Sequence, residues 1–65
     1  MQDEVRIKLN EYIEQNGIKA KYISELLDIP DYVLSRFRSG KIELNESSLN
    51  RLIEYLNKMG LLEVK

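Results

Sequence analysis

The chain contains no cysteine and no histidine. These absences exclude disulfides, thiol chemistry, zinc fingers and histidine-based catalysis, because each needs one of these residues as a ligand, nucleophile or base. Carboxylates remain the only ligands for a hard metal ion, and they are scattered along predicted helices. A nucleophile–base pair and a glycine-rich phosphate loop are also missing from the sequence. We therefore expect neither an enzyme nor a bound metal or cofactor.

Long uninterrupted apolar runs are missing as well, and charged residues follow Met1 directly in MQDEVRIK. This pattern predicts no signal peptide, no membrane span and a cytoplasmic location. The 65 residues are 43% apolar, which suits one domain with one core. A chain of this length is close to the lower limit of independent stability, so self-association would be unsurprising.

Neither sign of charge dominates, since the net charge is −1. This balance argues mildly against a nucleic-acid partner, because neutralisation of phosphates supplies most sequence-independent affinity for DNA. The distribution of charge along the chain weakens that argument. Five basic and three acidic residues lie between positions 19 and 41, which leaves this segment at +2 and the rest of the chain at −3. A locally positive face can orient on DNA, with a shallower salt dependence than a strongly basic module has.

Proline and glycine are scarce, and their few positions divide the chain into four predicted helices. The first helix ends at Asn16-Gly17, a typical left-handed stop. A short second helix runs from Lys19 to Leu27, and Pro30 prevents its continuation. Helical spacing places apolar residues of these two helices inward: Val5, Leu9, Tyr12, Ile13, Ala20, Ile23, Leu26 and Leu27.

The third helix is predicted to start at about Asp31 and to stop at Gly40. At 100° per residue, Val33, Leu34 and Phe37 gather on one side of it. Residues that can form hydrogen bonds lie on the other side: Asp31, Tyr32, Ser35, Arg36 and Ser39. A solvated polar face is the ordinary interpretation of such a pattern. However, the face lacks a Lys/Glu ladder and is suited to contacts with base edges and phosphates.

The fourth helix is predicted to begin after the N-cap Asn45 and to end at Lys58-Met59-Gly60. Its inward residues are Leu49, Leu52, Ile53 and Leu56. Residues 1–60 therefore form one all-α domain, and residues 61–65 form a short tail or strand. Apolar tail residues could pair with a second copy of the chain, or fold back to complete a monomeric core.

Residues 29–41, IPDYVLSRFRSGK, resemble the helix-turn-helix of Cro/repressor-type (XRE-like) regulators of phages and bacteria. The resemblance extends over roughly Val5 to Leu56, and Ser24 stands where the family has a small residue between its second and third helices. It implies a compact four-helix, lambda-repressor-like domain that binds double-stranded DNA. Ala20 and Asp28 depart from the glutamine and turn glycine that are common in the family.

The resemblance also implies roles for individual residues. Base-reading positions fall on Asp31, Tyr32 and Arg36, and phosphate positions on Lys19, Ala20, Ser39 and Lys41. Many members pair an arginine of the first helix with a glutamate of the third, but Ile13 and Arg38 stand at those places, which would leave Arg38 free for phosphate. With the outward Ser35 and the neighbouring Lys21, the predicted DNA site has nine residues: Asp31, Tyr32, Ser35 and Arg36 for bases, and Lys19, Lys21, Arg38, Ser39 and Lys41 for phosphates.

Structural alternatives exist for these residues. Arg36 could instead form an exposed ion pair with Glu25 or Asp31, the Tyr32 ring could pack on the second helix, and Asp31 could simply favour a helix start through the helix dipole. Tyr12, Tyr22 and Tyr55 are predicted to cover the edge of the core.

The leading hypothesis is a sequence-specific transcriptional regulator, repressor-like and of phage or mobile-element type, that acts as a homodimer. Two half-sites give a dimer the specificity that one helix lacks. The predicted dimer interface comprises the fourth helix and the tail, through Tyr55, Met59, Leu61, Leu62 and Val64. The competing hypothesis is a protein-interaction module on the same fold, such as an inhibitor or antirepressor of a host or phage protein. Its main support is the acidic net charge.

Overall fold

Four helices follow one another in the computed structural model, which describes residues 2–62. They are α1 (Asp3–Asn16), α2 (Ala20–Leu27), α3 (Asp31–Arg38) and α4 (Glu46–Lys58). No strand occurs within the described residues. The predicted all-α, four-helix class is therefore confirmed, and each helix lies within a few residues of its expected position. None of these helices is both long enough and apolar enough to cross a membrane.

Local backbone chemistry accounts for the helix ends. Gly17 adopts a left-handed conformation with φ 61°, and its N–H donates to the carbonyl of Ile13. Asp28 ends α2 with φ 57° and is the one non-glycine residue with positive φ between positions 2 and 62. Pro30 directly precedes α3, and the Asn45 side chain accepts a 2.8 Å hydrogen bond from the Ser48 N–H at the start of α4. The sequence signals at Gly17, Pro30 and Asn45 were thus correct.

The core lies where the four helices meet, and Phe37 of α3 is 1% exposed at its centre. Buried apolar residues come from every helix and from the connecting segments: Val5, Leu9, Ile13, Ile23, Leu27, Ile29, Leu34, Phe37, Leu44, Leu52, Leu56 and Leu62. Leu49, Ile53 and Val33 pack against this cluster and are partly buried. The inward faces predicted for α1, α3 and α4 therefore agree with the structure.

Leu26 was predicted to point inward, and this prediction was wrong. Its side chain is 51% exposed, whereas Ser24 of the same helix is buried. The helix has only eight residues, so its inward stripe is narrow. Ala20, Ile23, Ser24 and Leu27 form that stripe, and Leu26 lies about 110° away from its centre at 100° per residue.

Long-range hydrogen bonds fix α1 and α4 in place. The Gln2 side chain donates to the Leu44 carbonyl at 2.9 Å and accepts from the Leu44 N–H at 2.8 Å. The Tyr12 and Tyr55 hydroxyls are 3.0 Å apart, and their rings meet edge to face. Desolvation by burial, followed by the bond with Tyr12, raises the pKa of Tyr55 well above its ordinary value. Burial and this hydrogen bond therefore both favour the protonated form of Tyr55.

The chain turns back after α4. The Leu61 N–H donates to the Leu56 carbonyl at 3.0 Å, and Leu62 is 8% exposed within the core cluster. Leu62 thus packs into the core of the single chain, while pairing of the tail with a second copy stays a prediction. The remaining tail residues, including Val64, lie outside the described part of the chain.

Candidate nucleic-acid interface

Four polar or amphipathic side chains of α3 share its solvent-exposed side, and we call this surface the α3 face: Asp31, Tyr32, Ser35 and Arg36. Leu34 and Phe37 on the opposite side anchor the helix in the core. The α3 face contains every residue predicted to contact bases. The solvent exposure of these four side chains agrees with the sequence pattern. Their role in DNA binding stays a prediction.

Arg36 and Tyr32 lie one turn apart and form the centre of the α3 face. The Arg36 Cζ atom is 5.9 Å from the centroid of the Tyr32 ring, which is within cation–π range. Ion pairs in residues 2–62 join Arg6 to Asp3 and Lys58 to Glu54, so Arg36 pairs with neither Glu25 nor Asp31. The Tyr32 ring is 65% exposed and does not pack into α2. Both side chains are therefore available to a ligand.

Asp31 connects the two helices of the helix-turn-helix. One carboxylate oxygen lies 2.6 Å from the Ser24 hydroxyl, which also lies 2.8 Å from the Lys21 carbonyl. The small, buried Ser24 lets α2 and α3 approach closely, and the short contact to a charged acceptor holds the start of α3 against α2. Asp31 therefore has a bracing contact in addition to its place on the α3 face.

The turn before α3 is acidic. Glu25, Asp28 and Asp31 all line a shallow groove at this turn. Within the described residues, no cluster of three or more carboxylates is arranged to hold a metal ion. These charges repel phosphates, so DNA strands would have to be contacted at other points of the surface.

Exposed basic and hydroxyl side chains precede and follow α3 in the chain. Lys19 and Lys21 lie at the start of α2, and Ser39 and Lys41 follow α3. Gly40, with φ 82°, allows the chain to fold back after α3. As a result the Lys41 N–H donates to the Arg36 carbonyl at 2.9 Å. The backbone of Lys41 is thereby fixed beside the end of α3.

Arg38 was expected to be free for phosphate, and the structure corrects this. Its Nε donates to the Asn10 Oδ1 at 2.7 Å, and the Asn10 side-chain amide donates to the Arg38 carbonyl at 3.1 Å. The side chain is half-buried against α1. An Asn10–Arg38 pair thus connects the first and third helices, and only the terminal guanidinium nitrogens of Arg38 are left for a phosphate.

Two further arginines have positions that the sequence did not reveal. Arg51 of α4 donates from Nε to the Leu27 carbonyl at 2.8 Å and so satisfies the end of α2. Arg6 of α1 lies against Gly40, after the end of α3. Both contacts join residues that are far apart in sequence, and helical periodicity contains no signal for them.

The residues predicted for the dimer interface differ in their exposure to solvent. Met59 is exposed, Tyr55 and Leu61 are half-buried, and Leu62 is buried within the chain. Val64 lies beyond the described residues. Leu62 therefore has little surface left to offer a second copy, and Met59 has the most.

Comparison with known proteins adds no relative. No model of a protein family matches the chain, and neither does a curated protein or a solved structure. The fold and the α3 face define an all-α domain with a helix-turn-helix arrangement. The resemblance to Cro/repressor-type regulators stays a prediction that depends on residues 29–41.

Proposed function

We propose that the protein is a sequence-specific double-stranded DNA-binding transcriptional regulator, repressor-like and of phage or mobile-element type. The observation that supports this most is the α3 face. Tyr32 and Arg36 are exposed, and Arg36 forms no ion pair with a residue of the described part of the chain. The helix that carries them is anchored on its other side by the fully buried Phe37. A rigid helix with available polar side chains is what readout of base edges needs.

In this proposal α3 enters the major groove, which is about 12 Å wide and admits one helix. Arg36 would donate two hydrogen bonds to guanine O6 and N7, the commonest specific contact between a side chain and a base. The Tyr32 ring next to it limits the rotamers of the Arg36 side chain, so less conformational entropy is lost on binding. Ser35 can hydrogen-bond to more than one type of base, so it is expected to discriminate between bases less than Arg36 does.

The flanking basic groups would position the helix. Lys19 and Lys21 at the start of α2, with Ser39 and Lys41 after α3, would contact phosphates, which fixes orientation without reading sequence. The acidic turn at Glu25 and Asp28 would disfavour phosphate contacts beside it. We therefore expect few phosphate contacts and a shallow dependence of affinity on salt.

Homodimer formation is part of the proposal, because one recognition helix reads only a few base pairs and two half-sites lie about 10 base pairs apart in a two-fold complex. Leu62 is buried and offers little surface to a second copy. Among the other described residues predicted for the interface, Met59 is exposed and Tyr55 and Leu61 are half-buried.

Electrophoretic mobility shift with duplex DNA tests the function. Selection from a random-sequence duplex pool at low salt should enrich a motif, and the enriched duplex should stay bound at moderate salt when a scrambled duplex is released. Failure to enrich any motif, with the protein folded by circular dichroism, would contradict sequence-specific binding.

A protein-interaction module is the second candidate, and one observation favours it. Tyr22 and Leu26 expose apolar surface on α2, beside a groove of about 300 Å³ between α2 and α4 that is lined in part by Leu26, Tyr55 and Lys58. A protein partner that used this groove would be unaffected by substitutions on the α3 face. In that case the mobility shift would be negative at both salt concentrations.

A further inference from the structure

Arg6 of α1 lies against the turn that follows α3. A β-carbon built on Gly40 would be 3.8 Å from the Arg6 Cζ and 3.9 Å from its Nε and Nη1. The guanidinium therefore lies close to Gly40, which stands between Ser39 and Lys41, the two residues predicted to contact phosphate after α3. An arginine that is distant in sequence thus adds a positive charge to this edge of the surface.

The Arg6 guanidinium already has an anionic partner. Its Nη1 is 2.7 Å from the Asp3 Oδ1, and the Asp3 side chain is exposed while that of Arg6 is 27% exposed. Carboxylates and phosphates both bind the planar donor fork of arginine. A phosphate that approaches Arg6 would therefore meet a donor group that Asp3 occupies in the free protein.

We propose that Arg6 is a phosphate-binding residue of the DNA surface, and that Asp3 is an internal competitor which must release it on binding. This inference depends on the proposed function. Exposed ion pairs between neighbouring helix positions are weak and contribute a factor of about two to five at most. Replacing the Asp3 carboxylate with a phosphate on Arg6 therefore costs little free energy. Asp3 lowers the affinity for DNA without abolishing binding.

Glu4 provides a matched control for Asp3. It occupies the same first turn of α1 and is exposed, but it lies beside Lys8 and Leu61 rather than in the ion pair with Arg6. Asp3→Asn and Glu4→Gln remove the same charge from the same helix turn. A general reduction in repulsion of DNA is common to both variants, whereas release of Arg6 is specific to Asp3→Asn.

Titration of the enriched duplex at several salt concentrations tests the inference with four variants: Asp3→Asn, Glu4→Gln, Arg6→Gln, and Asp3→Asn combined with Arg6→Gln. Arg6→Gln should weaken binding about tenfold at low salt and reduce the slope of log affinity against log salt by about 0.9. Asp3→Asn should tighten binding two- to fivefold more than Glu4→Gln does. In the Arg6→Gln background this excess should disappear.

An unchanged salt slope in Arg6→Gln would overturn the phosphate contact. Equal effects of Asp3→Asn and Glu4→Gln, or an Asp3→Asn effect that persists without Arg6, would overturn the competition. Each of these results leaves the proposed function standing, because the wild-type complex still forms. Absence of any wild-type complex with DNA would contradict the proposed function itself. Circular dichroism of each variant verifies that it is folded.

Discussion

The α3 face and the region where α1 meets the rest of the chain contain similar polar residues but use them differently. We call the second region the α1 seam, which is defined by the Gln2–Leu44, Asn10–Arg38 and Tyr12–Tyr55 hydrogen bonds. In the seam, polar groups bond to each other across long stretches of sequence. On the α3 face, the Arg36 side chain lies over the Tyr32 ring, and neither side chain forms a hydrogen bond or ion pair with another residue between positions 2 and 62. Polar residues in the seam bond within the fold, as Asp31 does with Ser24, whereas the Arg36 and Tyr32 side chains are exposed to solvent.

Arg36 and Arg38 show the same difference, between exposure to solvent and bonding within the fold, in a single helix. Both are arginines of the last turn of α3, but Arg38 is directed to Asn10 and Arg36 to solvent. Residue type and position in the last turn do not distinguish these two arginines. Their different surroundings predict that one contributes to folding and the other to recognition, and this difference can be tested by substitution.

The largest effect is expected when the anchor of the α3 face is removed. Phe37→Ala should lower the free energy of unfolding by about 3–5 kcal/mol, because a large buried side chain is replaced by a cavity. Tyr32→Ala, an aromatic substitution on the exposed side of the same helix, should change it by less than about 0.5 kcal/mol. Urea denaturation followed by circular dichroism measures both. Similar losses in the two variants would contradict the assignment of inner and outer sides.

A smaller loss is expected for the C-terminal residue of the core. Leu62→Ala should lower the free energy of unfolding by about 2–4 kcal/mol, and the loss should not depend on protein concentration because Leu62 is buried within one chain. Urea denaturation at several protein concentrations tests this. A loss that shrinks on dilution would instead place Leu62 in a dimer interface, because an interface contact stabilises the protein only while the dimer is populated.

Arg38→Ala comes next and tests the α1 seam. It leaves the Asn10 Oδ1 without the Arg38 Nε donor, although the Asn10 amide can still donate to the backbone carbonyl of residue 38, and it should lower the free energy of unfolding by about 1–2 kcal/mol. Asn10→Ala should lower it by a similar amount, and the double variant by less than the sum of the two single losses. Additive losses in this double-mutant cycle, measured by urea denaturation, would show that the two residues do not act as a pair.

Local signals in the sequence predicted the helices well. Pro30, Gly17 and Asn45 determine backbone conformation through their own chemistry, so the boundaries at these residues needed no tertiary information. Helical periodicity likewise identified Leu34 and Phe37 as inward residues. The regular helical repeat is sufficient to assign a side to a residue when the apolar stripe is broad.

Tertiary docking determined what the sequence could not predict. Periodicity assigns a polar residue to a side but does not select its partner, so the contacts of Gln2 and Arg51 and the position of Arg6 beside Gly40 were missed. Leu26 was placed wrongly because the inward stripe of α2 is narrow and includes the small Ser24. The freedom of Arg38 was inferred from the absence of a glutamate partner, and Asn10 provided a different one.

The central claim is that the α3 face reads DNA sequence, and Arg36 tests it most directly. Titration of the enriched duplex and of single-base variants should show that Arg36→Ala leaves unfolding unchanged, costs about 1–3 kcal/mol of specific affinity and relaxes preference at one base pair. Lys41→Ala is the matched control: it should weaken all duplexes similarly and reduce the salt slope by about 0.9. A folded Arg36→Ala protein with wild-type affinity and base preference would contradict the account.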